Sequence, residues 1–275
     1  MTYSIVGADT QTREVGGAGT SCLTGDDVYV IYGGVPGHGV VHAQAYYSVD
    51  GRTRGKRLLA TDTAPAAIVA ALIDPAFDSE PTIRQYGVID VLGRSAGYTG
   101  SGTTAYASDR QGVSGVFAYS VQGNILTSAK VLERAAVAFE TSGCDLAERL
   151  MSALESGALD GEGDSRCTSR GIPSDSAFLQ VERPDGVAGD YLSLRVKTSG
   201  SDSPLPELRQ KLTTWRASHP CPEPTSPSTT MPSEQTGCSC RVTSAMPGSA
   251  DGWLLCGLLV VVWRRKRAAR DLRPI

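Results

Sequence analysis

Histidine, paired cysteine motifs and long apolar runs are scarce in this chain, and each scarcity removes a class of function. Three histidines, His38, His42 and His219, occur among 275 residues. Seven cysteines, at positions 22, 144, 167, 221, 238, 240 and 256, include no C-x-x-C pair. Metal sites of the zinc type need imidazole and thiolate at close, regular spacing, so no metal is expected. The G-x-S-x-G elbow is absent, which sets aside the commonest serine-hydrolase layout. Gly100-Ser101-Gly102-Thr103-Thr104-Ala105 spells a G-x-G-x-x-A fingerprint, but turn-forming residues follow where a helix would have to begin. It reads as a glycine loop, and no cofactor is expected. Basic excess is missing too: residues 217–275 carry 7 Lys/Arg against 4 Asp/Glu, leaving 19 against 25 in residues 1–216. An acidic folded part offers no footprint for nucleic acid.

What is present is strand texture punctuated by glycine. Thr2 to Ala8 alternates, with Tyr3, Ile5 and Gly7 on one face and Thr2, Ser4 and Val6 on the other. Residues 14–22 form its partner across a short polar turn. Asp27 to Tyr32, β-branched and aromatic, reads as a third strand. Val40 to Tyr47, Gln85 to Val91, Ser95 to Thr99, Gly112 to Val121, Ala177 to Val181 and Tyr191 to Lys197 follow. Helices are expected at Ala64 to Ile73, with Pro65 in its first turn, and at Ser128 to Phe139. Two more should begin at Asp145, capped with Glu148 three residues on, and near Leu205. Leu205, Leu208, Leu212 and Trp215 line one face of the last. This mixture predicts an α+β domain over residues 1–216.

Residues 217–236 hold 5 Pro and 8 Ser or Thr, the composition of a disordered linker. Residues 237–275 read as an address. Gly237-Cys238-Ser239-Cys240 precedes a short hydrophobic C-terminal helix, Trp253 to Trp263, and the basic cluster Arg264-Arg265-Lys266-Arg267. Eleven residues span about 16 Å against about 30 Å of hydrocarbon, short for a stable span. The basic cluster places the C-terminal end in the cytoplasm, and an ordinary single-pass anchor or an interfacial helix is the plain alternative. Cysteine motif, short apolar helix and basic cluster together resemble the MYXO-CTERM class of C-terminal sorting signals. That resemblance implies export, a sorting protease acting near Cys238, attachment to the membrane through 253–263 and display at the cell envelope or surface. In an exported protein disulfides persist, and Cys144 and Cys167, flanking the second helix and its glycine-rich loop, become the expected bridge. Export also requires a leader, whereas Met1 is followed by a strand. Either the true start lies upstream or this chain is trimmed, and an upstream leader cut just before Thr2 would expose that residue.

Chemistry is sparse but not absent. Were Thr2 the first residue, its hydroxyl and its own amine would form a self-contained nucleophile and base. Gln122-Gly123-Asn124 sits where a strand hands over to a helix, a place where an Asn amide and backbone N–H groups can hold an oxyanion, or simply make a turn. Gln44 is a polar residue in an apolar strand. Asp164 and Arg166 lie in the loop before the next strand, and Asp175 precedes it.

Jointly, these segments resemble the family known as domain of unknown function 1028, which is grouped by fold with the N-terminal nucleophile (Ntn) hydrolases. The residues carrying the likeness are Thr2 to Val6 with Asp9, Val15 to Ser21, Gln44-Ala45-Tyr46, Gln85 to Asp90, Tyr98-Thr99-Gly100 and Ser120 to Leu126. Leu146 to Gly157, Gly163 to Arg166 and Pro206-Glu207-Leu208 complete it. The resemblance implies a four-layer αββα sandwich with Thr2 at the cleft as nucleophile. Gln122, Gly123 and Asn124 would line the site, with Asn124 assisting catalysis. Ser21, Gln44, Asp164, Arg166 and Asp175 are the further candidates for the substrate site, read from their own segments. The substrate would be a small-molecule or peptide amide, and a homo-oligomer is compatible. The chain departs from the family pattern at Ser101 to Ala107 and at Asp175. The alternative is a non-catalytic surface binding or scaffold domain of the same fold.

Overall fold

The computed structural model describes residues 2–23 and 25–222. The chain divides into two units, Met1–Pro224 and Thr225–Ile275, and the described residues belong to the first. The linker from residue 223 onward, the Cys238 motif, the apolar stretch 253–263 and the basic cluster lie outside the described residues.

In chain order the elements are β1 (Thr2–Asp9), β2 (Glu14–Ser21), β3 (Tyr32–Val35), β4 (Gly39–Ala45), α1 (Val49–Leu59), α2 (Pro65–Leu72), β5 (Arg84–Asp90) and β6 (Ser95–Thr99). They continue with β7 (Ser108–Ser114), β8 (Phe117–Asn124), α3 (Lys130–Thr141), α4 (Leu146–Gly157), β9 (Ser176–Glu182), β10 (Leu192–Lys197) and α5 (Leu205–Arg216). The strands form two antiparallel sheets: six strands in the order β10-β9-β2-β1-β8-β7, and four in the order β3-β4-β5-β6.

The alternation expected of β1 has two different destinations. Tyr3 and Ile5 join the core formed with α3, α4 and α5, where Phe139, Leu146, Leu150 and Leu208 are buried. The Tyr3 hydroxyl donates to the Leu154 carbonyl at 2.7 Å, and burial pushes that phenol well above its ordinary pKa, so it stays a donor. On the opposite face Val6 packs with Val40, Ile89 and Phe178 between the sheets. A third core sets Val41, Tyr86 and Val88 against Leu59, Ile68 and Leu72 of α1 and α2.

Several local expectations are corrected. Asp27 to Tyr32 is not a strand: Asp27 caps the Tyr29 N–H, and Val28–Ile31 winds as one 3₁₀ turn before β3 begins. The Asp side chain outcompetes the ladder locally. Gly112 to Val121 is a hairpin rather than one strand, since β7 and β8 pair around the turn between Ser114 and Phe117. Helix α1 has no apolar stripe, because its buried face is Gly51, Gly55 and Leu59. A Cβ on Gly55 would stand 3.1 Å from Val41, so the small residue is what lets this helix reach the sheet.

The expected Cys144–Cys167 bridge does not form. The bonds are Cys22–Cys167 and Cys144–Cys221, with Cα separations of 5.8 and 5.2 Å. Cys144 and Cys167 lie beyond opposite ends of α4, whose 12 residues span about 18 Å, so nearness in sequence is not nearness in space. Cys221, within the stretch read as linker, is thereby tied to the helical side of the domain.

Candidate active site

Thr2 opens β1, a strand flanked on both sides within the larger sheet, at the edge where β2 and β8 end. Its hydroxyl donates to Ser21 Oγ at 3.2 Å, and its register partner on β8 is Asn124. Thr2, Ser21 and Asn124 are all buried. These three are brought together by strand pairing alone, which no sequence spacing could display.

Below Thr2 lies a buried polar layer joining the two sheets. Gln44 Nε2 donates to the Thr2 carbonyl at 3.3 Å, to Gln85 Oε1 at 2.8 Å and to the Gln122 carbonyl at 3.4 Å. Asn124 Nδ2 donates to the same Gln85 oxygen at 2.9 Å. Ser4 Oγ donates to Gln44 Oε1 at 2.6 Å and accepts from Gln122 Nε2 at 2.8 Å. Having spent its one proton, Ser4 can only accept from His42 Nδ1 at 3.0 Å. His42 is therefore the Nδ1–H tautomer, and Nε2 is left without a partner. Burial lowers the His42 pKa to about 3, so the ring is neutral. Two close approaches make room for this layer: a Cβ on Gly17 would stand 2.4 Å from His42 Nε2, and one on Gly87 would stand 2.1 Å from Gln122 Oε1.

Flanking Thr2 on the β2 side, the chain after Ser21 is held by two buried carboxylates. Asp164 Oδ2 accepts the Cys22 N–H at 2.7 Å, and Asp175 Oδ1 accepts the Leu23 N–H at 2.7 Å. Arg166 pairs with Asp164 at 3.1 Å. Arg170 Nη2 lies 2.6 and 2.7 Å from the sulfurs of Cys22 and Cys167 and 2.9 Å from Asp175 Oδ2. Cys22, Cys167 and Asp175 are the residues with metal-like donor spacing among those described. Their sulfurs are bonded to each other, and a guanidinium contacts every member, so the donor set does not suit a cation.

Of the expected site residues, Thr2, Ser21, Gln44 and Asn124 meet directly. Gln122 lies one step deeper, and the Gly123 carbonyl accepts from Gln85 Nε2 at 2.8 Å. Asp164 and Asp175 hold the backbone N–H groups of Cys22 and Leu23, just beyond Ser21, and Arg166 pairs with Asp164. Sequence reasoning missed Gln85, His42 and Ser4. A buried glutamine in an apolar strand is a visible signal, and Gln85 carries the same signal as Gln44.

The sequence profile described as "Family of unknown function (DUF1028)" matches residues 2–208. The chain belongs to the DUF1028 family. A crystal structure of a DUF1028 protein from Silicibacter pomeroyi is similar in fold, with a TM-score of 0.64 at 24% identity, over 78% of this chain and 89% of that one. No curated protein matches. The segment shared with DUF1028 spans every strand of both sheets and includes the whole Thr2 site. Among the described residues, no helix is long and apolar enough to cross a membrane.

Proposed function

We propose that this DUF1028 protein is an N-terminal nucleophile amidohydrolase of the αββα type, acting on a small-molecule or peptide amide. The observation that carries the reading is the position of Thr2. It starts a strand flanked on both sides in the sheet, its hydroxyl meets Ser21, and an Asn amide stands opposite it. With Thr2 as first residue, Oγ adds to the amide carbonyl carbon and its proton passes to the Thr2 α-amine. The carbonyl oxygen becomes an oxyanion facing Asn124. Collapse breaks the C–N bond, and the leaving amine takes that proton. Water then cleaves the Thr2 ester, releasing the acid and restoring the hydroxyl. An α-amine of pKa about 7.7 to 8.0 is suited to this base role.

We place the protein, by the same proposal, at the cell envelope, delivered by its C-terminal sorting segment. Two disulfides in one domain support an oxidising compartment.

The test uses full-length protein whose N-terminus at Thr2 is verified by sequencing, assayed against a panel of acyl p-nitroanilides. Thr2→Ala is expected to lose activity by about 10³-fold or more, while Thr2→Ser retains part of it. Equal rates for Thr2→Ala would leave the non-catalytic binding domain as the reading.

A further inference from the structure

Gln85 is wholly buried on β5 and belongs to the smaller sheet, yet all but two of its side-chain contacts cross to the larger one. Its Oε1 accepts from Gln44 Nε2 at 2.8 Å and from Asn124 Nδ2 at 2.9 Å. Its Nε2 lies 2.8 Å from the Gly123 carbonyl, 3.1 Å from the Ser108 carbonyl and 2.9 Å from Thr99 Oγ1. Thr99 spends its own proton on Asp109 Oδ1 at 2.6 Å, so toward Gln85 it is an acceptor. The direction of the Gln85 amide is thus dictated. Reversed, it would set an NH₂ against two NH₂ groups and an oxygen against two carbonyl oxygens.

From this we infer that Gln85 is a positioning residue for the Thr2 site, fixing the Asn124 amide with its nitrogen turned inward and one N–H left for the oxyanion. The inference rests on the reading of Thr2 as nucleophile. Because Gln85 Oε1 takes one N–H of Asn124, rotation of the Asn amide would bring oxygen against oxygen. Through Gln44, the same atom also steadies the group that donates to the Thr2 carbonyl. Gln85 itself touches no reacting atom.

A double-mutant cycle separates this role from a mere brace between sheets. The full-length chain beginning at Thr2 is treated with p-nitrophenyl acetate, which acetylates Thr2 Oγ and releases p-nitrophenol. The read-out is the rate of release together with the acetyl increment on the Thr2 peptide. Asn124→Ala and Gln85→Met are each expected to slow acetylation by about 10²-fold or more, with little change in KM for the ester. The double variant is expected to be within about threefold of Asn124→Ala alone. Losses that multiply in the double variant, or an undiminished rate in Gln85→Met, overturn the inference. Should Gln85→Met fail to fold, Thr99→Val loosens Gln85 from its other end. A severalfold slower acetylation then supports the role, and an unchanged rate overturns it. Thr2→Ala is the separate control: if it releases p-nitrophenol as fast as the parent, the nucleophile reading itself fails, whatever Gln85 does.

Discussion

His42 shows how one buried residue couples the site to solution conditions. Its pKa is lowered to about 3 by burial, whereas in the unfolded chain it titrates near the ordinary value of about 6.5. Between those values the unfolded state binds a proton that the folded state refuses, so stability rises with pH across that window and is lost as pH falls through it. The slope from one such proton is at most about 1.4 kcal/mol per pH unit. Urea unfolding of the parent and of His42→Gln between pH 6.5 and pH 4.5 should show a shallower pH dependence in the variant. The same ring dictates its neighbour. Gly17→Ala places a methyl at 2.4 Å from Nε2 and is expected to cost about 1 to 3 kcal/mol by denaturant titration. Neither effect could be read from a His in an apolar strand, because both follow from what faces it across the sheets.

At the scale of elements, helix α4 is held by one carboxylate with two tasks. Asp145 caps the Glu148 N–H at 3.1 Å and also pairs with Arg216 of α5, Oδ2 accepting from Nη1 at 2.6 Å. Both side chains are largely buried. Asp145→Ala should destabilise by about 2 to 4 kcal/mol, since the cap is lost and a buried guanidinium is left uncompensated. Asp145→Asn keeps the cap and should lose less, a difference measurable in thermal midpoints. The cap was legible in advance, because Asp followed three residues later by Glu is a local signal. Helix α1 was not legible. Its buried face is built of glycines, and a stripe without side chains has no hydrophobic periodicity. The hairpin of β7 and β8 was hidden for a related reason: β7 is largely polar and only partly buried, so it has no apolar face of its own, and pairing rather than composition divides the two.

For the molecule as a whole, the disulfides carry the largest single change. They close segments with sequence separations of 145 and 77 residues. On the chain-entropy model each is worth about 4 to 5 kcal/mol. Cys221→Ser should lower the denaturation midpoint while leaving the Cys22–Cys167 peptide intact in non-reducing mass spectrometry. Cys22→Ser should disturb the backbone that Asp164 holds and slow acylation of Thr2 as well. A non-reducing peptide map that recovers Cys144 joined to Cys167 would contradict the pairing described.

Some of this protein was determined by its sequence taken alone. The alternation of β1, the helical stripes of α3, α4 and α5 and the family likeness depend on residues close together along the chain or on the order of segments. Local periodicity is enough to assign a face. Tertiary structure alone decided which cysteines meet, which residues stand opposite Thr2 and why Gln85 matters. Those depend on strand register and on the stacking of two sheets, where residues from 14 to 152 positions apart share hydrogen bonds. Each pairing is chosen by the packing of the entire domain, so no local pattern records it.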